Sequence, residues 1–419
     1  HGSPALVSHG DTALAQLGSG DTNGRAMDDG RFTDATARPS RSAGQTPTPR
    51  WLTGDDPLGG PPDRQVLVVG DGPAGLTLTT FLASAGFEPV IVGGDDPEPA
   101  TRHLPPATLD LLADVGVAEG VAAVAEPVRS FSVVDAGDPG TPTTRSTDTD
   151  AREPVVVRAD RLCDRLRERL PDHTVERDRS VETIREREGA AVVEFHDGVR
   201  EWFDVVVVTA ARTVEGSGAT TTPRITEREL TVEADELPPH HLRDVWHRNG
   251  LVQRFPSPGE PGARLRVTTT EPLPESWLAD SDWPGVPGVR ADTSGATEWR
   301  AVPQFLDATA VGSGWWGSGH VPRCGRAGLP VAAATGLRTA LAVEDAWTLA
   351  SVLVDGPSSV RGAVDAYASR RSRRLSAVLG GVEPRGDGQP DSAELRAVGR
   401  LRTAALDAVT TDAARNDDG

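Results

Sequence analysis

Three glycines close an apolar run in Val66-Leu-Val-Val-Gly-Asp-Gly-Pro-Ala-Gly75, and the helix-forming residues Leu76 to Ala85 follow at once. This reads as strand, tight turn and helix N-terminus. Gly70 permits the turn, Gly72 lets a bound phosphate reach the backbone, and Gly75 lets the helix lie close to the strand. The free N–H groups and positive end of such a helix attract an anion, so Gly70, Asp71, Gly72, Pro73, Ala74 and Gly75 together suit a dinucleotide pyrophosphate. A motif of this kind expects an acid about 20 residues further on, at the end of the second strand, to hold ribose hydroxyls. Here that strand, Pro89-Val-Ile-Val92, ends in Gly93-Gly94, with Asp95 and Asp96 just beyond. Either one of those aspartates curls back, or the nucleoside is held loosely, or nothing binds. Asp71 adds a carboxylate inside a turn meant for phosphate.

Other residues could do chemistry, and each has a plainer reading. His240-His241 could polarise a phenol or sit on a loop after Pro238-Pro239. Trp315-Trp316 could line an aromatic pocket or simply pack. Cys324 could touch a ligand or fill a buried apolar position. The arginines of 370–374 could attract anionic lipid or nucleic acid, or form a solvated, ion-paired helix face. Glu344-Asp345 lacks a third metal ligand at useful spacing and reads as part of a helix packed under the nucleotide. Only Cys163 and Cys324 occur, too far apart in sequence for a zinc motif or a disulfide framework.

The elements that must position these residues follow an α/β pattern. Strand 65–70, helix 73–85, strand 89–93 and helix Pro106–Val115 come first. The polar stretch Asp135–Arg152 reads as an exposed loop. Strand Pro154–Arg158 leads into a charged helix, Ala159–Leu170, followed by short strands at 174–177 and 191–196, a turn at Asp197-Gly198, and the β-branched strand Asp204–Val208. Between 224 and 300 the pattern becomes alternating and Pro/Gly-punctuated, as in an antiparallel sheet. A strand near His320–Cys324 precedes helices at 336–354, 360–379 and 392–412. The expected organisation is a disordered segment (1–62), a discontinuous Rossmann-like domain (63–223 and 301–380), an inserted β-rich substrate domain (224–300), and a C-terminal helix with a polar tail (381–419).

The chain of 419 residues carries a formal charge of −19, from 62 acidic and 43 basic residues, and every basic residue is arginine. The acid is spread along the chain rather than blocked, which suits a protein working in concentrated salt, where the screening length falls to about 3 Å at 1 M. Duplex nucleic acid is an unsuitable partner for such a surface. No apolar run reaches the ~20 residues needed to span a bilayer, and no signal peptide opens the chain, so the expected location is cytoplasmic. Met27 is the single methionine, which leaves open whether residues 1–26 precede the natural start.

Taken in order, these pieces resemble the FAD-dependent monooxygenases of the aromatic-ring hydroxylase type over about residues 64 to 380. Residues 66–76 resemble the family's first FAD motif, and Leu104–Leu112 its following helix. Val157-Arg158-Ala159-Asp160 resembles the step whose arginine lies near the flavin, and Phe203–Val208 the strand before an Asp-Gly motif. Gly325 to Asp345 resembles the Gly-Asp motif with the helix beneath the ring. Val364-Asp-Ala-Tyr367 with Arg370, Arg371 and Arg374 resembles the closing Tyr-and-Arg helix. The departures are Gly93 for the ribose acid, Ala210-Ala211 for Asp-Gly, and Arg326 for the aspartate that bonds the ribityl chain.

The resemblance implies FAD as cofactor and NAD(P)H as reductant. It implies contacts from Gly70 to Gly75, Arg102, Arg158, Gly325, Arg326, Gly336 and Leu337, with Arg326 able to fork onto the pyrophosphate in place of the missing acid. The implied reaction is hydroxylation of a small aromatic or isoprenoid-like molecule, with no catalytic acid or base assigned. Loss of three side-chain carboxylates, each worth about 1–3 kcal/mol to a buried polar ligand, motivates the alternative of a non-catalytic protein on the same fold. An isoprenoid-lipid reductase of the same superfamily is a third reading.

Overall fold

The computed structural model describes residues 65–93, 100–135, 143–147, 152–171, 174–176, 179–187, 189–209, 224–233, 238–247, 250–257, 262–273, 290–292, 298–303, 313–328, 331–380 and 393–407. The expectations for 1–62, for the polar tail, for Asp95 and Asp96, and for Ala210-Ala211 lie outside the described residues.

The chain begins with β1 (Val66–Val69), α1 (Pro73–Ser84), β2 (Val90–Val92), β3 (Thr101–Leu104), α2 (Pro106–Asp114) and α3 (Ala118–Ala122). It continues through β4 (Glu126–Pro127), β5 (Ser130–Asp135), β6 (Thr143–Ser146), β7 (Val155–Arg158), α4 (Ala159–Arg167), β8 (Val175–Glu176) and β9 (Val181–Arg187). Strands β10 (Ala190–Phe195), β11 (Arg200–Phe203), β12 (Val205–Val208), β13 (Arg224–Glu233), β14 (His241–His247), β15 (Gly250–Pro256) and β16 (Ala263–Thr269) follow. The last elements are β17 (Arg290–Asp292), β18 (Arg300–Pro303), β19 (Gly317–Ser318), β20 (Val321–Pro322), α5 (Arg338–Asp355), α6 (Val360–Gly380) and α7 (Ala393–Asp407).

A parallel sheet in the order β12-β1-β2-β8 forms the nucleotide half. Side chains alternate across a strand, so Val66, Val68, Val205 and Val207 join the core under α1 and α5. Leu67, Val69, Val92 and Val206 instead meet Ala191, Val193, Phe195 and Phe203 of the antiparallel meander β9-β10-β11. Burial on both faces is why β1 reads as an unbroken apolar run. The fold is therefore α/β with a Rossmann-like sheet, as expected.

The second large sheet runs β17-β13-β16-β15-β14-β5-β6, with β18 also on β13. Its strands come from beyond 224–300 as well, since β5 joins β14 in parallel register, His241 opposite Ser130. One sheet face is apolar, built from Val134, Leu230, Val245, Val252, Leu265 and Val267. One expectation needs correction here. Part of the stretch read as an exposed loop, Thr143–Ser146, is β6, paired with β5. Strand β9, which the sequence reading did not anticipate because of its exposed charges, supplies one edge of the meander.

Candidate functional site

The turn after β1 has the geometry that its glycines imply. Gly70 has φ 112°, and a Cβ on Gly75 would collide with the Gly70 carbonyl, so strand and helix touch as only glycine allows. Thr209 Oγ1 donates to the carbonyls of Val69 and Gly70, at 3.1 and 2.9 Å, tying β12 to the same turn. Helix α1 opens with Gly72 at its N-cap and Pro73 in its first turn, without a side-chain cap. A Cβ on Gly72 would meet nothing within 4 Å, so open space lies over the uncapped helix start. The carboxylate of Asp71 is turned to α4, where Arg167 Nη2 donates to it at 3.0 Å. Arg167 thus balances the misplaced charge. It was not singled out from sequence, because a basic residue in a helix of mixed charge has no distinguishing neighbour.

A second glycine closes on the first motif. Gly325 has φ 59°, and its Cα lies so near that an added Cβ would be 2.7 Å from Ala74 Cβ. Its N–H donates to Asp345 Oδ2 at 2.9 Å. Asp345, fully buried on α5, also receives Arg371 Nε from α6 at 2.5 Å, and Arg371 Nη1 reaches Glu344 at 2.5 Å. Burial works against the charge on Arg371, but the two carboxylates outweigh it and hold the guanidinium charged. Arg371 is therefore not part of a solvated face, as its arginine-rich surroundings suggested; it is 1% exposed. Tyr367 completes this support, donating to the Arg323 carbonyl at 2.8 Å.

The remaining implied contacts lie on three elements. Arg102 is buried on β3, opposite Val157 of β7, and its neighbour Thr101 is opposite Arg158. Arg158 donates to Asp160 through Nε and Nη2, at 3.1 and 2.8 Å. Burial alone would push Asp160 up, but Arg158 holds its carboxyl below the ordinary value. Arg326 stands half-buried in a single 3-10 turn, Gly325–Ala327. Gly336, at φ 74°, ends another such turn, Ala333–Thr335. Leu337 is the buried N-cap of α5, with its N–H donated to Thr335 Oγ1 at 3.1 Å.

Of the other candidates, His241 is not on a loop. It is the first residue of β14, buried, with Nδ1 and Nε2 at 2.8 and 2.9 Å from the hydroxyls of Ser130 and Ser132. Burial, with Arg243 and Arg254 nearby, lowers its pKa to about 4. Trp316 is fully buried in the main core, and burial pushes the thiol of Cys324 well up and that of Cys163 up to about 12, leaving neither nucleophilic. Among the described residues, no group of His, Cys, Asp or Glu could hold a metal ion, and no helix is long and apolar enough to cross a membrane.

The two glycine turns differ in their surroundings. At Gly70–Gly75 the residues fit a diphosphate, because an uncapped helix start faces open space. Around Gly336 side chains of this chain pack closely: a Cβ there would run into Arg402 Nη1 and lie 3.6 Å from His103 Nδ1.

Comparison with known proteins bears on the same segment of the chain. Residues 63–212 match the family model described as FAD binding domain. The fold is similar to p-nitrophenol 4-monooxygenase PnpA from Pseudomonas putida, at 19% identity and TM-score 0.63 over 84% of this chain and 90% of that one. It is similar to Klebsiella pneumoniae HpxO, solved with FAD and uric acid, at 17% identity and TM-score 0.62 over 83% and 90% of the two chains. A third likeness is 2,6-dihydroxypyridine-3-hydroxylase from Arthrobacter nicotinovorans, at 16% and TM-score 0.57 over 75% and 89%. No curated protein sequence matches the chain. Residues 63–212 thus carry the sequence pattern of an FAD binding domain, and the chain has the fold of the FAD-dependent aromatic-hydroxylase type of monooxygenase.

Proposed function

We propose that this protein is an FAD-dependent monooxygenase that hydroxylates a small aromatic or isoprenoid-like molecule, with NAD(P)H and oxygen as co-substrates. The observation that carries the reading is the open, uncapped start of α1 at Gly72, with Gly325 seated against Ala74. Two glycine-bearing turns meeting over one helix N-terminus suit a diphosphate through backbone N–H groups and the helix dipole, without side-chain acids. Bound FAD would supply the redox chemistry that no side chain here can perform. The chain's own part is to hold and orient. The turn grips the diphosphate, Arg167 neutralises Asp71, and the Arg371–Asp345 pair fixes the Gly325 backbone. Arg326 and Arg102 are the proposed cationic contacts to the phosphates, and Arg158, beside Thr101, the proposed contact near the ring.

The second reading, a protein on this fold that binds no flavin and catalyses nothing, is favoured by one observation: Arg402 and His103 crowd Gly336. Titration with FAD in molar salt, followed by visible absorbance and by the quenching of flavin fluorescence, separates the two. Saturable binding, with NAD(P)H oxidation that responds to added phenols, supports the monooxygenase. Absence of binding at millimolar FAD refutes it.

A further inference from the structure

The face of the large sheet turned away from the nucleotide half carries a basic cluster. Paired residues share a sheet face, and neighbours along a strand alternate between faces. Arg243 (β14) pairs with Arg254 (β15) on one side and with Ser132 (β5) on the other, and His241 pairs with Ser130. These five therefore stand on one face, together with Val245 and Val252 of the apolar cluster. Glu227 and Glu229 lie on the opposite face, where they accept the N–H groups of Ala334 and Thr101 from the nucleotide half.

The cluster is enclosed but not sealed. Arg254 and His241 are each 4% exposed and Ser132 is fully buried, while Arg243 and Ser130 are half-buried. Arg254 Nη1 donates to the His241 carbonyl at 2.7 Å, and Arg243 Nε donates to Ser132 Oγ at 3.0 Å. The hydroxyls of Ser130 and Ser132 flank the His241 imidazole. Neutral partners of this kind solvate a guanidinium without balancing its charge.

What Arg254 lacks is an acid. Arg266, Arg371 and Arg402, buried to a similar degree, each meet a carboxylate: Glu229, Asp345 and Asp244. Among the described residues no carboxylate stands within ion-pair distance of Arg254, whose Nη1 goes to carbonyls and whose Nε is buried without a hydrogen-bond partner. Burial, and then the like charge of Arg243, pull its pKa down to about 10, with no acid pulling it back. An unbalanced buried charge is destabilising, and a chain with 62 acidic residues has no shortage of acids to place beside one.

We infer that Arg254 and Arg243, with the Ser130 and Ser132 hydroxyls, form a binding site for a compact monovalent anion on the outer face of the large sheet. An anion there gives Arg254 its counter-charge and screens it from Arg243, through the charge-assisted hydrogen bonds that guanidinium groups favour. The size limit follows from the surroundings. Val245, Val252 and Leu265, beside the arginines, are at most 2% exposed, so no apolar groove runs from the site to take an extended organic tail. A halide ion and a small carboxylate share the chemistry required. The site lies on the far side of the sheet from the nucleotide half and does not depend on FAD binding.

Chloride is the probe. Its NMR line broadening is followed in the full chain and in the variants Arg243→Gln and Arg254→Met at constant ionic strength, with sodium acetate as competitor. The expected result is saturable broadening in the wild type, with affinity about tenfold weaker in either variant through loss of one charge-assisted contact. Chloride held at the Gly70–Gly75 turn is common to all three proteins and cancels in the comparison. Displacement by acetate at concentrations below that of chloride supports the site as one for a carboxylate, and displacement only by a large excess supports it as one for a halide. Arg243→Gln, at the half-buried edge, decides should Arg254→Met fail to fold. Broadening that does not saturate, or that saturates equally in the wild type and Arg243→Gln, overturns the site and leaves Arg254 as a tie to the Pro238 and His241 carbonyls.

Discussion

Two glycine turns of the molecule are built from opposite materials. After β1 the chain presents main-chain groups: a helix start without a side-chain cap, open space over Gly72, and Gly325 held close to Ala74. Before α5 the main-chain N–H groups of Ala334 and Leu337 are already taken, the first by the Glu227 carboxylate of the sheet and the second by Thr335 Oγ1, and Arg402 lies against Gly336. The contrast shows that the first turn can offer a helix end and backbone to an anion, which needs no particular side chain. The second turn spends its backbone and its neighbouring side chains on contacts within the chain.

The sharpest way to break the first turn is to remove its buried support. Arg371→Met leaves the fully buried Asp345 without its guanidinium, while Glu344 keeps Arg374, whose Nε donates to it at 3.1 Å. Breaking one partner of a buried pair costs about 3–5 kcal/mol. The expected outcome is a large fall in the midpoint of chemical unfolding, with ADP binding lost in parallel because the Gly325 turn is no longer held. An unchanged midpoint would show that α5 and α6 hold that turn by apolar packing alone.

A smaller effect reports on the surroundings of Gly336 through pH. Burial, and then the positive charge of Arg402, lowers the pKa of His103 to about 3 from 6.5. A depressed folded-state value means that this contribution to stability is complete above pH 6.5 and is lost as pH falls towards 3, because the unfolded chain takes up a proton that the folded chain refuses. The slope is about 1.4 kcal/mol per pH unit within that window. His241 acts in the same direction, between 6.5 and about 4. Asp345, which burial pushes up to about 6 against the pull of Arg371, acts in the opposite direction between 3.8 and 6. The comparison of wild type with His103→Gln cancels both. The variant is expected to lose stability less steeply between pH 6 and 4 when thermal unfolding is followed at several pH values.

How much of this was legible in the sequence follows from how local each feature is. The strand–turn–helix at 65–85 could be read because its period and its glycines lie within 21 consecutive residues. Helices α5 and α6 could be read because each repeats one pattern over many turns. Strands β6 and β9 could not, since polar and charged residues make sense there only beside partners, β5 and β10, whose pairing is set by tertiary contact. His241 looked like a loop residue because two prolines precede it; the hydroxyls that enclose it belong to β5, more than a hundred residues earlier. Arg371 and Arg402 were hidden among other arginines. Which guanidinium is buried depends on carboxylates 26 and 158 residues away, and no local pattern records that.

The smallest change is the one that isolates binding from folding. Gly72→Ala adds a single methyl group where a Cβ meets nothing within 4 Å, at φ −76° and ψ −176°, a backbone conformation that alanine adopts without strain. Its effect on stability is therefore expected to stay within about 0.5 kcal/mol, as for other substitutions that touch nothing. The same methyl projects into the space that a diphosphate must enter to reach the backbone. FAD and ADP affinity are both expected to fall by about tenfold, the equivalent of roughly 1.4 kcal/mol, with the unfolding midpoint unmoved. Because both ligands carry the diphosphate, the two should weaken together here. A loss confined to FAD would place the diphosphate somewhere other than the Gly70–Gly75 turn, and a loss in neither would mean that the open space above Gly72 is not where phosphate approaches.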